Sequence, residues 1–248
     1  MRISNRLGLK ARADLLRSSL AAWPRRGKRL LEINCGEGRF LSVLWECGFD
    51  VTGTEHDAAM RKRALKHVGF RAEIASAFDG YLPFEDDAFD WVILHVAADA
   101  AATLENSLAE ALRVATGGIA VTFWNSASWP YILHRVSGNG FWPCPRWNFF
   151  NIWRRLKKRD MGRLTSLSAL PGPIRSWNRE CGGFFRWAVA HVPPFGAWCV
   201  IRMDIDPSGF VTPLPLHLNK ARFAPPEPVL ECRPVHIERG HDKTISVD

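Results

Sequence analysis

Five short apolar runs, at residues 30–33, 50–54, 71–74, 90–96 and 118–123, alternate with stretches whose apolar residues recur at helical spacing. No other feature of the chain constrains its fold as much. Strands separated by helices return to the same edge of a sheet before the next strand begins, so they pair in parallel and the helices cover both faces. Phe40, Leu41, Val43 and Leu44 form one such helical stripe. Leu104, Leu108 and Leu112 form another, with Thr103 as its N-cap and Gly117-Gly118 just past its end. WCVIRMDI, 198–205, reads as a further strand, fed by the turn PPFGA. At 248 residues, 47% of them hydrophobic, the chain can bury the core of one doubly wound, mostly parallel α/β domain.

Flanking segments differ in character. Leu9, Ala13, Leu16 and Leu20 predict an amphipathic helix over 5–22, closed by Trp23-Pro24. Beyond Asn125 the periodicity fades, and eight of the eleven tryptophans fall between 124 and 198, among Pro, Asn and Arg, which reads as an aromatic-rich cap. Residues 207–248 hold seven of the sixteen prolines and no period, which predicts an extended tail. The expected organisation is one domain over 1–206: a helical segment at 1–29, a ligand-binding core at 30–125, a cap at 126–190 and a final strand region at 191–206, followed by the tail.

Charge follows the same cuts. Residues 1–29 carry +8, residues 30–123 carry −8 and residues 146–163 carry +6, within a net +8. An acidic middle between two basic patches describes surfaces and partners, not the fold. The six cysteines form no CxxC pair, so a reducing, cytoplasmic setting is expected and neither a zinc knuckle nor a disulfide scaffold is indicated. Cys232, His236, His241 and Asp242 match no metal-ligand spacing, and no metal is expected. No signal peptide is read, and nowhere do 18 apolar residues run together.

The stretch LLEINCGEGRF, 30–40, is a strand running into a glycine turn and then a helix. A dinucleotide fingerprint requires a third glycine where Arg39, Phe40 and Leu41 stand, and a phosphate loop requires Lys-Ser/Thr. Glu32 and Glu37 would also repel a polyanion. A phosphate-free nucleoside carrying positive charge fits better, and S-adenosylmethionine is such a ligand. Glu55 ends the second strand 19 residues after Gly36, where a carboxylate can take both ribose hydroxyls.

LLEINCGEGRF, VTGTEHDAAM, LPFEDDAFDWVILHVA and LAEALRVATGGIAVTFWN together resemble, in order, the segments of class I S-adenosylmethionine-dependent methyltransferases, in particular the LPF…FD subgroup of mostly small-molecule enzymes. The resemblance covers roughly residues 28–125 and implies a Rossmann-like, seven-stranded sheet. It implies that Glu32, Gly36 and Gly38 line the methionine end of the cofactor, Glu55 holds the ribose, His56 and Met60 flank the adenine, and Asp79 approaches the adenine amino group, with S-adenosylhomocysteine as product. Asn34 departs from the family's usual glycine and places a side chain in cofactor space; asparagine tolerates unusual backbone angles better than other side-chain residues.

His95, at the end of the fourth strand, is a candidate cofactor-lining residue and the one candidate general base. Methyl transfer from a sulfonium needs a base only when the acceptor must lose a proton. No NPPY-like stretch follows the fourth strand, which argues against a base-amino DNA methyltransferase. The aromatic cap and the proline-rich loops suit a flat or apolar small-molecule acceptor; the alternatives are an RNA or polyanion methyltransferase using the basic flanks, or a cofactor-binding protein without transfer. FFNIWRRLKKR, 149–159, predicts a basic amphipathic helix that covers a core, lids the pocket or makes peripheral contact with a membrane.

Overall fold

The computed structural model describes residues 8–96, 103–137, 147–172 and 195–205, with backbone alone for 134–137. All of these lie in the first of two compact units, Met1–Thr212; the second is Pro213–Asp248. Cys232, His236, His241 and Asp242 and the proline-rich tail therefore fall outside the described residues.

Seven strands, β1 (Arg29–Ile33), β2 (Asp50–Thr54), β3 (Ala72–Ala75), β4 (Phe89–His95), β5 (Ala115–Trp124), β6 (Arg163–Ala169) and β7 (Trp198–Asp204), form one sheet in the order β3-β2-β1-β4-β5-β7-β6. The strands from β1 to β5 pair in parallel, as the alternation requires. β7 pairs antiparallel with both β5 and β6 and is the one reversed strand.

Helices cover both faces. α1 (Leu9–Ser19), α2 (Arg39–Glu46) and α3 (Ala58–Val68) share one core with Leu30, Ile93, Ala120 and Trp198. α4 (Leu104–Arg113) and α6 (Phe149–Arg159) share the other with Leu31, Val92, Ile119 and Ile201. The alternating strand positions supply the two faces in turn, which is why these strands read as continuous apolar runs. α5 (Trp129–Ser137) follows the end of β5.

The LPF…FD segment is held by one cation. Arg113 pairs with Glu110 and Asp86 and donates to the carbonyls of Phe84 and Leu82, while Glu110 accepts from the Leu82 amide at 2.9 Å. The loop before β4 is thus fixed from outside, by Glu110 and Arg113 of α4.

One sequence expectation is extended and one revised. Gly117-Gly118 does follow the end of α4 at Arg113, and both glycines already lie inside β5, where a Cβ at Gly117 would stand 2.6 Å from the Trp91 ring. β6 lies within the segment expected to be a cap; RLTSLSA breaks its apolar residues with Thr and Ser, as an edge strand with partial burial allows, so it has no apolar run to read. α1 begins at Leu9 and continues into a 3-10 turn at Leu20–Ala22, so the predicted helix is present over its described part. Thr103 stands at the N-cap of α4, but its side chain makes no capping bond.

Candidate active site

The carboxyl ends of β1, β2, β4 and β5 meet at one edge of the sheet, and almost every residue singled out from sequence gathers there. After β1 the chain turns through Asn34 (φ 60°), Gly36 (φ 59°) and Gly38 (φ 71°), all left-handed. The two glycines do different work. A Cβ at Gly36 would meet nothing within 4 Å, so that backbone borders open space. A Cβ at Gly38 would stand 2.9 Å from Val68 and 3.1 Å from Ala64, so Gly38 seats α2 against α3.

Glu55 closes the loop from β2. Its Oε2 accepts from the Gly36 amide at 2.8 Å and its Oε1 from the Asp57 amide at 2.9 Å. Asp57 caps α3 by accepting from the Ala59 and Met60 amides. His56 stacks on Phe78 with ring centroids 3.9 Å apart.

Asn34 occupies the position where a glycine was expected, and its amide nitrogen donates to Asp79 Oδ2 at 3.0 Å and to the His95 carbonyl at 3.1 Å. The side chain is a clamp joining the turn after β1 to the loop after β3 and to the end of β4. Asp79 is thereby tied to the turn itself.

Glu32 is fully buried, and its Oε1 lies 2.6 Å from His95 Nε2. A carboxylate can only accept, which puts the proton on Nε2. His95 Nδ1 lies 2.5 Å from the Thr122 hydroxyl, which can then donate to it. Both ring nitrogens are engaged inside the protein, so this arrangement does not present His95 as a base to an acceptor. Glu32 Oε2 is buried with no hydrogen-bond partner among the described residues. An orphan acceptor beside the glycine turn suits an ammonium donor, which the methionine end of S-adenosylmethionine carries.

A cavity of about 250 Å³ opens over this network, lined by Asn34, Gly36, Met60 and His95 and, on its other side, by Arg12, Phe40, Trp124 and Trp198. That second group was not read from the sequence. The Arg12 guanidinium lies over the rings of Trp198, Phe40 and Trp124 at 4.8, 5.0 and 5.2 Å. Burial pulls its pKa down to about 10, against the opposing pull of the Glu32 charge. A signal was available: Arg12 is three residues after Leu9 and four before Leu16, on the apolar stripe of α1, where a cation needs a reason.

Three further expectations are corrected. Glu37 is paired with Arg39 at 2.7 Å and Arg63 at 3.3 Å, so its charge is compensated and does not by itself exclude an anion. The Arg39 hydrogen bond holds its carboxyl below the usual range. α6 supplies no residue to the cavity and is not its lid. Its apolar residues Phe149, Ile152 and Leu156 are buried in the core, so they cannot enter a membrane interface. Arg155 and Arg159 both pair with Glu105 of α4.

A family model described as "MetW: Methionine biosynthesis protein MetW" matches residues 12–153, more than half of the chain. The chain belongs to the MetW family. No curated protein gives a significant match. Among solved structures, a Thermotoga maritima S-adenosylmethionine-dependent methyltransferase, described as a possible histamine N-methyltransferase, superposes with a TM-score of 0.62 at 19% identity, over 81% of this chain and 91% of that one. The magnesium protoporphyrin IX methyltransferase of Synechocystis, solved with bound S-adenosylhomocysteine, gives 0.56 at 13% identity over 81% and 85%. A methyltransferase of Aquifex aeolicus gives 0.55 at 14% identity over 78% and 90%. The fold of this family member is thus the class I methyltransferase fold. Among the described residues, no helix is long and apolar enough to cross a membrane, and no cluster of His, Cys, Asp and Glu could hold a metal.

Proposed function

We propose that this MetW-family chain is an S-adenosylmethionine-dependent methyltransferase acting on a small-molecule acceptor. The observation that carries the reading is the Glu55 carboxylate at the tip of β2, fixed by the Gly36 and Asp57 amides. Each oxygen keeps a lone pair for a ribose hydroxyl, and the group is immobilised before any ligand arrives. Glu32 Oε2 takes the ammonium, the backbone at Gly36 borders the amino-acid tail, and His56, Phe78 and Met60 flank the adenine.

The protein's own chemistry is positioning. Of the titratable groups lining the cavity, Glu37 is paired with arginines, His95 has both nitrogens engaged, and burial pushes the Cys35 thiol far up, so that it stays protonated. With no free base among these described lining residues, the reading is of an acceptor atom that is already nucleophilic when it enters, the protein supplying alignment and water exclusion.

Calorimetry with S-adenosylmethionine and S-adenosylhomocysteine on the wild type and on Glu55→Ala tests the reading. Micromolar binding by the wild type, weakened in the variant without loss of fold, is expected. Absence of binding by the wild type would overturn it.

A further inference from the structure

We propose that Arg12, held between Phe40, Trp124 and Trp198, is the seat for a carboxylate of the acceptor, and that the acceptor is therefore an organic acid. This rests on the methyltransferase reading and names the substrate class for the same cavity.

The guanidinium is the first argument. It lines the cavity, yet among the described residues no carboxylate oxygen lies within 4.0 Å of it, and its Nε is buried with no hydrogen-bond partner. Ring faces attract a cation but do not satisfy N–H donors. Three rings at 4.8 to 5.2 Å hold the group in place, so the cost of ordering a long side chain falls on folding rather than on binding. A desolvated, pre-oriented fork of donors is matched by a planar carboxylate.

Position is the second. Glu55 stands on β2, while Trp124 ends β5 and Trp198 begins β7, paired with each other across those two strands. Three to four strand spacings, roughly 14–19 Å, separate the strand of Glu55 from those carrying the two indoles. A cofactor whose ribose is at Glu55 delivers its methyl group part-way along this edge, near β1 and β4, which leaves the β5–β7 side for the acceptor. Phe123, Val96 and Leu9 complete an apolar wall there. Trp198 and Phe123 are each 1% exposed, so this half of the cavity presents chiefly the cation, set in a buried apolar frame.

The test uses 2-naphthoate and its neutral isostere 2-naphthamide, titrated by tryptophan fluorescence into the full chain saturated with S-adenosylhomocysteine. The wild type is expected to bind the acid at least about tenfold more tightly than the amide. Arg12→Met should abolish that preference while keeping its affinity for S-adenosylhomocysteine, and Arg12→Lys should retain part of the preference. Matching thermal unfolding of the three proteins excludes a folding defect.

Equal affinity of the wild type for acid and amide, or no binding of either, would overturn the proposal. So would Arg12→Met weakening S-adenosylhomocysteine but not 5′-methylthioadenosine, which lacks the amino-acid tail, because Arg12 would then serve the cofactor's own carboxylate. Failure of the wild type to bind S-adenosylhomocysteine at all defeats the methyltransferase reading separately. The acid-against-amide comparison on the unloaded chain still decides whether Arg12 seats a carboxylate.

Discussion

The two halves of the carboxyl edge are built differently. On the β1–β2 side the site is made from residues close in sequence and largely from backbone: Asn34, Gly36 and Gly38 in one turn, with Glu55 gripping that turn through an amide. On the β5–β7 side it is made from Arg12, Phe40, Trp124 and Trp198, four residues brought together only by the completed fold. A backbone-built site depends on which residues can adopt the turn, so it writes a motif into the sequence. A site built from side chains on four elements depends on packing, and only its composition shows. The difference predicts that changes in the first half act through backbone conformation and through the hydrogen bonds that lock it, and changes in the second through ring contact and charge.

Gly38→Ala should have the largest effect, and Gly36→Ala should separate the two roles within the turn. At Gly38 the left-handed backbone and the 2.9 Å approach to Val68 both oppose a Cβ. A loss of roughly 2–4 kcal/mol of folding stability is expected from strain plus overpacking. Gly36→Ala meets open space and should cost only about 1–2 kcal/mol from its backbone angle. Urea unfolding of both variants checks the ranking. Equal losses would mean that φ alone matters and that the α2–α3 contact does not.

Glu55→Ala comes next. Removing the carboxylate should weaken S-adenosylmethionine by about 30- to 150-fold, or about 2–3 kcal/mol. Because the group also holds the Gly36 amide, Glu55→Gln, which keeps an acceptor, should lose distinctly less. Unchanged affinity in both variants would remove the ribose assignment.

Asn34→Gly sets relief of crowding against loss of a clamp. Restoring the usual glycine removes a side chain that crowds the cofactor space, but it also removes the clamp to Asp79 and the His95 carbonyl. We expect the clamp to dominate, with cofactor affinity falling by roughly 1 kcal/mol, about fivefold, in calorimetry. A rise would show that crowding outweighs the clamp.

The legibility of the molecule follows the same division. β1, β2, β4 and β7 could be placed to within a residue or so, because strands buried on both faces must be apolar throughout. β6 could not, since an edge strand tolerates Thr165, Ser166 and Ser168. The Asn34 clamp was invisible because its partners are 45 and 61 residues away. The eight tryptophans between 124 and 198 announced an aromatic region, but nothing local says that Trp124 and Trp198 face each other across two strands.

Glu110 offers a smaller, pH-dependent test. Its hydrogen bond to Arg113 depresses its pKa, and it also accepts from the Leu82 amide. A carboxylate with a lowered folded-state pKa contributes stability above its unfolded value, near about 4.3, and loses it as pH falls through the folded value. Glu110→Gln should therefore be less stable than wild type at pH 7 by about 1 kcal/mol, with the gap closing below about pH 4. Thermal unfolding across that range checks it, and a gap independent of pH would place the effect in packing.

The smallest effect is expected outside both halves, on α6. The aromatic and aliphatic residues that could dip into a lipid interface, Phe149, Ile152 and Leu156, are buried against the sheet, leaving only Phe150 strongly exposed among the large apolar residues of that helix. Of the cations, Arg155 is committed to Glu105, and exposed pairs of this kind contribute about 1 kcal/mol or less. Changing Arg154, Arg155, Lys157 and Lys158 to Gln should therefore shift stability by no more than about 1 kcal/mol, and it should leave cofactor binding untouched, since none of the four lines the cavity. Co-sedimentation with anionic vesicles should be weak for both proteins and should vanish with added salt, as expected for surface charge without an inserted apolar face. Salt-resistant binding by the wild type that is lost in the variant would instead require α6 to leave the core, which the buried Ile152 and Leu156 oppose.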